Sequence, residues 1–259
     1  MAAFEESTEF RRELHLFTGQ SVGTFIANIW MSLPIAVFYS KSKESTLHGI
    51  VHLQHAVTPI DQKTNTMHDI EPHFGWREKY QAETDKQSPF FGREYSEFGF
   101  TNKVYNYLLH PQWDEFGAET LYLKQLFTDY DEGYVIIEMI GEWNDAVHND
   151  VMHLKREFID QLLGNGIRHF IIVMEGVLNF HADDTDYYEE WVEEISGEDG
   201  WIVFLNCHDH VMDELRQAQL DNYLAFGEQF NNLTWRPQKP ERIFEAIEGL
   251  LETGTRRIY

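Results

Sequence analysis

From residue 134 to residue 174 the chain reads YVIIEMIGEWNDAVHNDVMHLKREFIDQLLGNGIRHFIIVM. Residues 135–140 and 170–174 are near-continuous apolar runs of strand length, the pattern of strands covered on both faces. Between them Val151, Leu154, Phe158, Ile159 and Leu162 recur at helical spacing and make one apolar stripe. Asn149 or Asp150 is placed to cap the start of that helix. Gly164, Asn165 and Gly166 end it with residues that accept a left-handed backbone. The stretch is therefore read as one strand–helix–strand unit. With the stripe turned inward, Lys155, Glu157 and Gln161 are expected to face water.

Working outward, residues 121–127 and 134–140 form a predicted hairpin across the acidic turn DYDEG. After the helix at 149–163 and the strand at 168–174, a helix is expected at about 186–196 and a strand at 201–205. A helix from near 208 and a short strand around 232–235 follow. A last helix opens with Pro240 at its first position and carries Ile243, Phe244, Ile247, Leu250 and Leu251 at core spacing. Upstream, helices are expected at 4–17 and 21–32 and strands at 35–39 and 47–54. Residues 55–117 keep no lasting period but are rich in aromatic side chains. The character of the chain changes near 118. The reading is an N-terminal α+β region over 1–118 and an α/β domain over 119–259, with a mixed sheet and flanking helices.

Acidic residues outnumber Lys and Arg by 44 to 20, a formal net charge of −24. A field of that sign repels phosphate backbones, which argues against a nucleic-acid partner and favours a basic protein one. The single cysteine, Cys207, cannot form an intrachain disulfide, and no signal peptide is evident, so a cytoplasmic location is expected. Residues 18–40 carry no charge, but Gln20, Asn28, two glycines and Pro34 make a buried helix–turn–strand the better reading than a membrane span.

A hairpin followed by α-β-α-β-α-β-α resembles the STAS domain and its SpoIIAA-like relatives. The stretches that carry the resemblance are EGYVIIEMIGEWNDAV and, after the helix, GIRHFIIVMEGVLNF. They are similar to an apolar strand ending in a Gly-Glu and acidic turn, then a helix and a strand leading to a phosphorylatable loop. The resemblance spans roughly residues 119–252. It implies a regulatory protein that binds other proteins and whose loop serine or threonine a kinase modifies. Here the loop reads NFHADDTD over 179–186, and its hydroxyl is Thr185, preceded by Asp183 and Asp184. A phosphate there would meet like charge at once, so a phospho-switch is not expected, and the acids are read first as helix-capping residues.

Two histidine clusters are the candidates for metal chemistry. His208 and His210, with Asp213 beyond, follow the strand at 201–205, where loops of parallel sheets bind ligands, and could hold zinc or iron. His68, Asp69, Glu71 and His73 form the other. Glu138, Glu142, Asp145 and Asp150 are read as solvated loop charge. No phosphate-binding, dinucleotide, nucleophile-elbow or metalloprotease motif occurs. Tyr107 and Trp113 flank Pro111 in the aromatic stretch YNYLLHPQWDEF and resemble interface anchors. The expectation is thus a non-enzymatic protein-binding or regulatory protein without cofactor. Asp183, Asp184, Thr185, Tyr107 and Trp113 are its candidate partner surface. The alternative is a metal-dependent enzyme or metal-binding protein built on His208, His210 and Asp213.

Overall fold

The computed structural model describes residues 70–96 and 98–255, which belong to one compact unit running from residue 62 to the C-terminus. The helices and strands expected before residue 55, the uncharged stretch 18–40, His68 and Asp69 lie outside the described residues. Among the described residues no helix is long and apolar enough to cross a membrane.

A short ribbon comes first, β1 (Lys103–Val104) against β2 (Tyr107–Leu108). The main sheet holds β3 (Leu121–Asp129), β4 (Tyr134–Asn144), β5 (His169–His181) and β6 (Trp201–Leu205), in that spatial order. β3 and β4 are antiparallel, while β4, β5 and β6 run parallel. This is the expected mixed sheet with flanking helices. β5 runs seven residues past the predicted end at Met174, because Gly176, Val177 and Asn179 go on pairing with β4 where β6 has already ended.

The helices follow from their sequence signals. α1 (Asp145–His148) is one turn, capped by the Asn144 side chain on the Val147 N–H. α2 covers 150–164: α-helical turns Asp150–Leu154 and Asp160–Gly164 enclose a π-turn, Lys155–Ile159. α3 (Asp186–Ser196), α4 (Asp209–Gln217) and α5 (Pro240–Thr255) start where the sequence places them. No strand forms at 232–235. The side chain of Asn206 instead brackets Leu233, accepting its N–H and donating to its carbonyl at 3.0 Å each, in place of a strand ladder.

The pleat sends alternate residues of β4 and β5 to two separate cores. Val135, Ile137, Phe170 and Ile172 meet Leu154, Phe158 and Leu162 of α2 together with Trp191 of α3 and Leu215 of α4. Ile136, Ile171 and Val203 face the other way, against Trp76, Trp235 and Phe244. Residues 70–118 pack on this same body: Phe90 stacks on Phe158 with ring centroids 5.3 Å apart, and Trp76 meets Trp235 at 5.7 Å.

Lys155 is not in water as its place off the stripe implied. The π-turn rolls it under α3, where it is fully buried and paired with Asp160 and, at 2.7 Å, with Glu194. Glu157 is exposed as expected.

Candidate functional site

The carboxyl ends of β4 and β5 are organised by an aspartate that the sequence reading left in solvent. Asp145 is buried and satisfied from three directions. Its carboxylate accepts the Trp143 indole N–H at 2.9 Å, the Val151 N–H at 2.8 Å and the Tyr188 hydroxyl at 2.7 Å. Burial pushes its carboxyl up to about 6, against those three donors. One side chain thereby ties the end of β4 to the start of α2 and to α3. Asp150 is buried too and accepts the Asn144 N–H at 2.8 Å. Glu138 is the third buried member of that acidic run, and Glu142, half-buried, accepts the exposed Tyr105 hydroxyl.

On this frame the loop 182–185 stands in the open. Asp183 and Asp184 are exposed and Thr185 is half-buried. Asp184 accepts the Asp186 N–H at 2.8 Å, which turns the chain into α3. Thr185 occupies the position before the helix, but its hydroxyl makes no capping bond. Asp183, Asp184 and Asp186 line a cavity of about 450 Å³ with Asn149, Arg156 and Glu190. The only cation among them, Arg156, already holds Glu190 through both guanidinium branches at 2.6 and 2.7 Å. The concavity is therefore acidic.

The histidines of the alternative, metal-binding reading lie along β5. β5 outruns β6, which leaves carbonyls on its open edge. His208 Nε2 lies 3.0 Å from the Glu175 carbonyl and His210 Nε2 2.7 Å from that of Leu178. The two rings stack at 5.6 Å, and Asp213 pairs with Arg216. Among the described residues no group of three or more His, Cys, Asp or Glu side chains converges as a cation would need. Cys207 is buried, and burial pushes its thiol up to about 12. Of the other cluster, Glu71 lies 3.6 Å from His110, and His73 packs edge-on against Trp76 and Trp235.

A second polar constellation lies on the opposite face of the sheet. Arg236 reaches Glu138 at 3.0 Å and also contacts Glu175, which accepts the Asn206 amide at 2.6 Å and the Trp235 indole N–H at 2.9 Å. Burial pushes Glu138 up to about 7. Burial would raise Glu175 as well, but Arg236, Asn206 and Trp235 hold it below the usual carboxylate value. Its donors are all internal, so this node fastens the segment around Arg236 to β4 and β5.

The two aromatics expected on a partner surface separate. Trp113 is buried with Val104, Leu109 and Tyr122, and its indole N–H goes to the Ile70 carbonyl at 2.6 Å. It is a core residue, because the chain on both sides of it folds back over β3. Tyr107 is 65% exposed and remains available.

No protein-family model matches the chain, and no curated protein is similar to it in sequence. Solved structures are similar to part of it in fold. The anti-sigma factor antagonist SpoIIAA in its unphosphorylated form is 13% identical, with 49% of this chain and 96% of that chain covered and a TM-score of 0.36. The Bacillus cell fate determinant SpoIIAA in the phosphorylated form is 13% identical over 41% of this chain and 92% of that one, with a TM-score of 0.31. The likeness is one of fold, over less than half of this chain.

Proposed function

We propose that this chain is a non-enzymatic regulatory protein that binds a basic protein partner through the loop 182–185 at the carboxyl end of its sheet. The observation that carries this reading is the acidic concavity beside Asp183 and Asp184, whose one cation is already paired. Charge of one sign on such a rim raises the encounter rate with a partner of the other sign and disfavours partners of the same sign. Asp145 supports the reading from below, since it fixes the loop's two flanking helices without using the loop's own side chains.

The protein works in this reading without a phospho-switch and without a cofactor. A phosphate on Thr185 would stand beside Asp183, Asp184 and Asp186, where repulsion opposes it. His208 and His210 are spent on the β5 edge. The test is quantitative affinity capture from the native cell with the intact chain and with Asp183→Lys/Asp184→Lys. A basic protein enriched by the intact chain and lost with the variant, at unchanged melting temperature, supports the reading. Equal recovery by both proteins refutes it.

A further inference from the structure

Residues 88–95 and 111–117 face each other across a groove of about 760 Å³, which shares no lining residue with the concavity at 183–186. Its walls present the half-buried rings of Pro89, Tyr95 and Pro111, with Phe90, Trp113 and Phe116 buried behind them. Its floor is a buried aspartate, Asp114, which accepts the Tyr95 hydroxyl at 2.7 Å, Arg93 at 3.0 Å and Lys124 at 3.1 Å. Lys124 is buried as well and lies over the Tyr95 ring at 3.9 Å. Arg93 gives its other branch to the Glu115 carbonyl at 2.9 Å and covers the Phe90 ring. Both cations of the groove are thus consumed inside it, and their contacts hold its walls in place.

The rim carries the remaining charge. Glu94, Glu115 and Glu157 are exposed, and among the described residues none of them forms an ion pair. The groove includes Asn102 and Trp113, and so continues into the β1–β2 ribbon, which stands on Trp113 through Val104 and Leu109. There Tyr107 and Leu108 are 65% and 42% exposed. A preorganised groove with half-buried rings beside exposed apolar side chains is a common form of a protein-binding surface.

Charge decides the occupant. A second copy of this chain brings another −24, and nucleic acid or an anionic membrane brings further negative charge, so all three are repelled. We propose that the groove binds a lysine- or arginine-bearing segment of a basic partner, its cations on Glu94, Glu115 and Glu157 and its apolar side chains on Pro89, Tyr95 and Pro111 and on Tyr107 and Leu108. This deepens the reading above, on which it rests for the premise that the partner is a basic protein, and adds a second contact surface.

Three probes test it on the full chain: a fluorescein-labelled peptide alternating lysine and leucine, the same peptide with glutamate for lysine, and phosphatidylserine vesicles. Two variants accompany them, Glu94→Lys/Glu157→Lys in the groove and Asp183→Lys/Asp184→Lys at the loop. Both change net charge by the same amount, so attraction to overall charge alone would weaken equally in the two. The expected result is binding of the lysine peptide only, weakened about tenfold or more by the groove variant and unchanged by the loop variant. Equal weakening by both variants overturns the groove, as does binding of the glutamate peptide or of the vesicles, or a dimer that the groove variant disperses. Loss with the loop variant alone also overturns the groove but leaves the proposed function standing. If the loop variant still captures its native partner while the groove variant loses the peptide, the loop reading fails and the groove survives.

Discussion

The carboxylate of Glu138, in the middle of β4, accepts the backbone N–H of His73 at 2.7 Å across 65 residues of sequence. The same carboxylate takes Arg236 from 98 residues on the other side. One buried side chain therefore fastens two segments without regular structure to the same strand. Its other neighbours are the Glu175 carboxylate on β5 and, directly opposite on β3, Lys124, whose ammonium is given to Asp114.

Such a group makes stability depend on pH, and the sign is fixed. Burial pushes Glu138 up to about 7 from an ordinary value of 4.5. A carboxyl raised on folding stabilises the fold below its unfolded value, and that contribution is lost as pH rises through about 7. Glu138→Gln keeps an acceptor for His73 and cannot titrate. The stability of the variant relative to the native protein should rise with pH between about 4.5 and about 7, by up to about 3 kcal/mol. His73, held below its ordinary value by burial and then by Arg236, works in the opposite direction, but it is common to both proteins. Denaturant melts at about pH 5 and about pH 8 measure the difference. A difference that stays flat contradicts the assignment.

Phe158 and its neighbour Glu157 separate the buried from the wet side of α2. Phe158 is fully buried against Phe90, and Glu157 is exposed. Phe158→Ala should cost about 3–5 kcal/mol, and Glu157→Ala about half a kcal/mol or less. Thermal melts of the two variants give the order directly. The reverse order would mean that the helix is turned the other way.

Lys155 should behave as a buried cation and not as a surface one. Its partners Asp160, Glu190 and Glu194 are each partly exposed, so water can take over part of their charge when it is removed. Lys155→Ala is expected to cost about 1–3 kcal/mol, more than an exposed lysine and less than a sealed ion pair. Chemical denaturation checks this, and a change near zero would return Lys155 to the surface.

Gly141 is the backbone position least open to substitution. Its φ is +127°, and a Cβ there would stand 2.0 Å from the Thr120 carbonyl oxygen, where β4 shifts register against β5. Gly141→Ala should destabilise by at least about 2 kcal/mol, from strain and the clash together. A variant that melts with the native protein would place the strand end elsewhere.

The central sheet is legible in the sequence because its strands are covered on both faces and need unbroken apolar runs, as at Val135–Ile137 and Phe170–Val173. The left-handed Gly166 that ends α2 and the proline that starts α5 carry local chemistry, so those ends can be read; the expected cap at the start of α2 does not form, since Asn149 makes no side-chain bond there and Asp150 accepts the Asn144 N–H instead. Longer-range exchanges are not legible. Leu233 and Trp235 look like a strand, yet the backbone of Leu233 is held by the Asn206 side chain, a pairing across 27 residues that no local pattern encodes. Asp145 and Glu138 look like solvent charge because their donors, Tyr188 and His73, come from other segments. Lys155 is hidden by a π-turn, which adds one residue to the helical period and moves it off the face its spacing assigns. Of the partner surface, Asp183, Asp184 and Tyr107 are exposed as a loop reading implies, while Trp113 is buried by chain that returns over β3.

Site-specific photo-crosslinking in the native cell tests the partner-binding loop most directly. A photoreactive residue is placed at Asp184, and a control at Glu252 on α5, which packs on the opposite face of the sheet. The expected result is a discrete adduct with a basic protein from position 184, lost when Asp183 is also changed to Lys, and no such adduct from position 252. Identical adducts from both positions, or none from 184 at full expression, would contradict a protein-binding role for this end of the sheet.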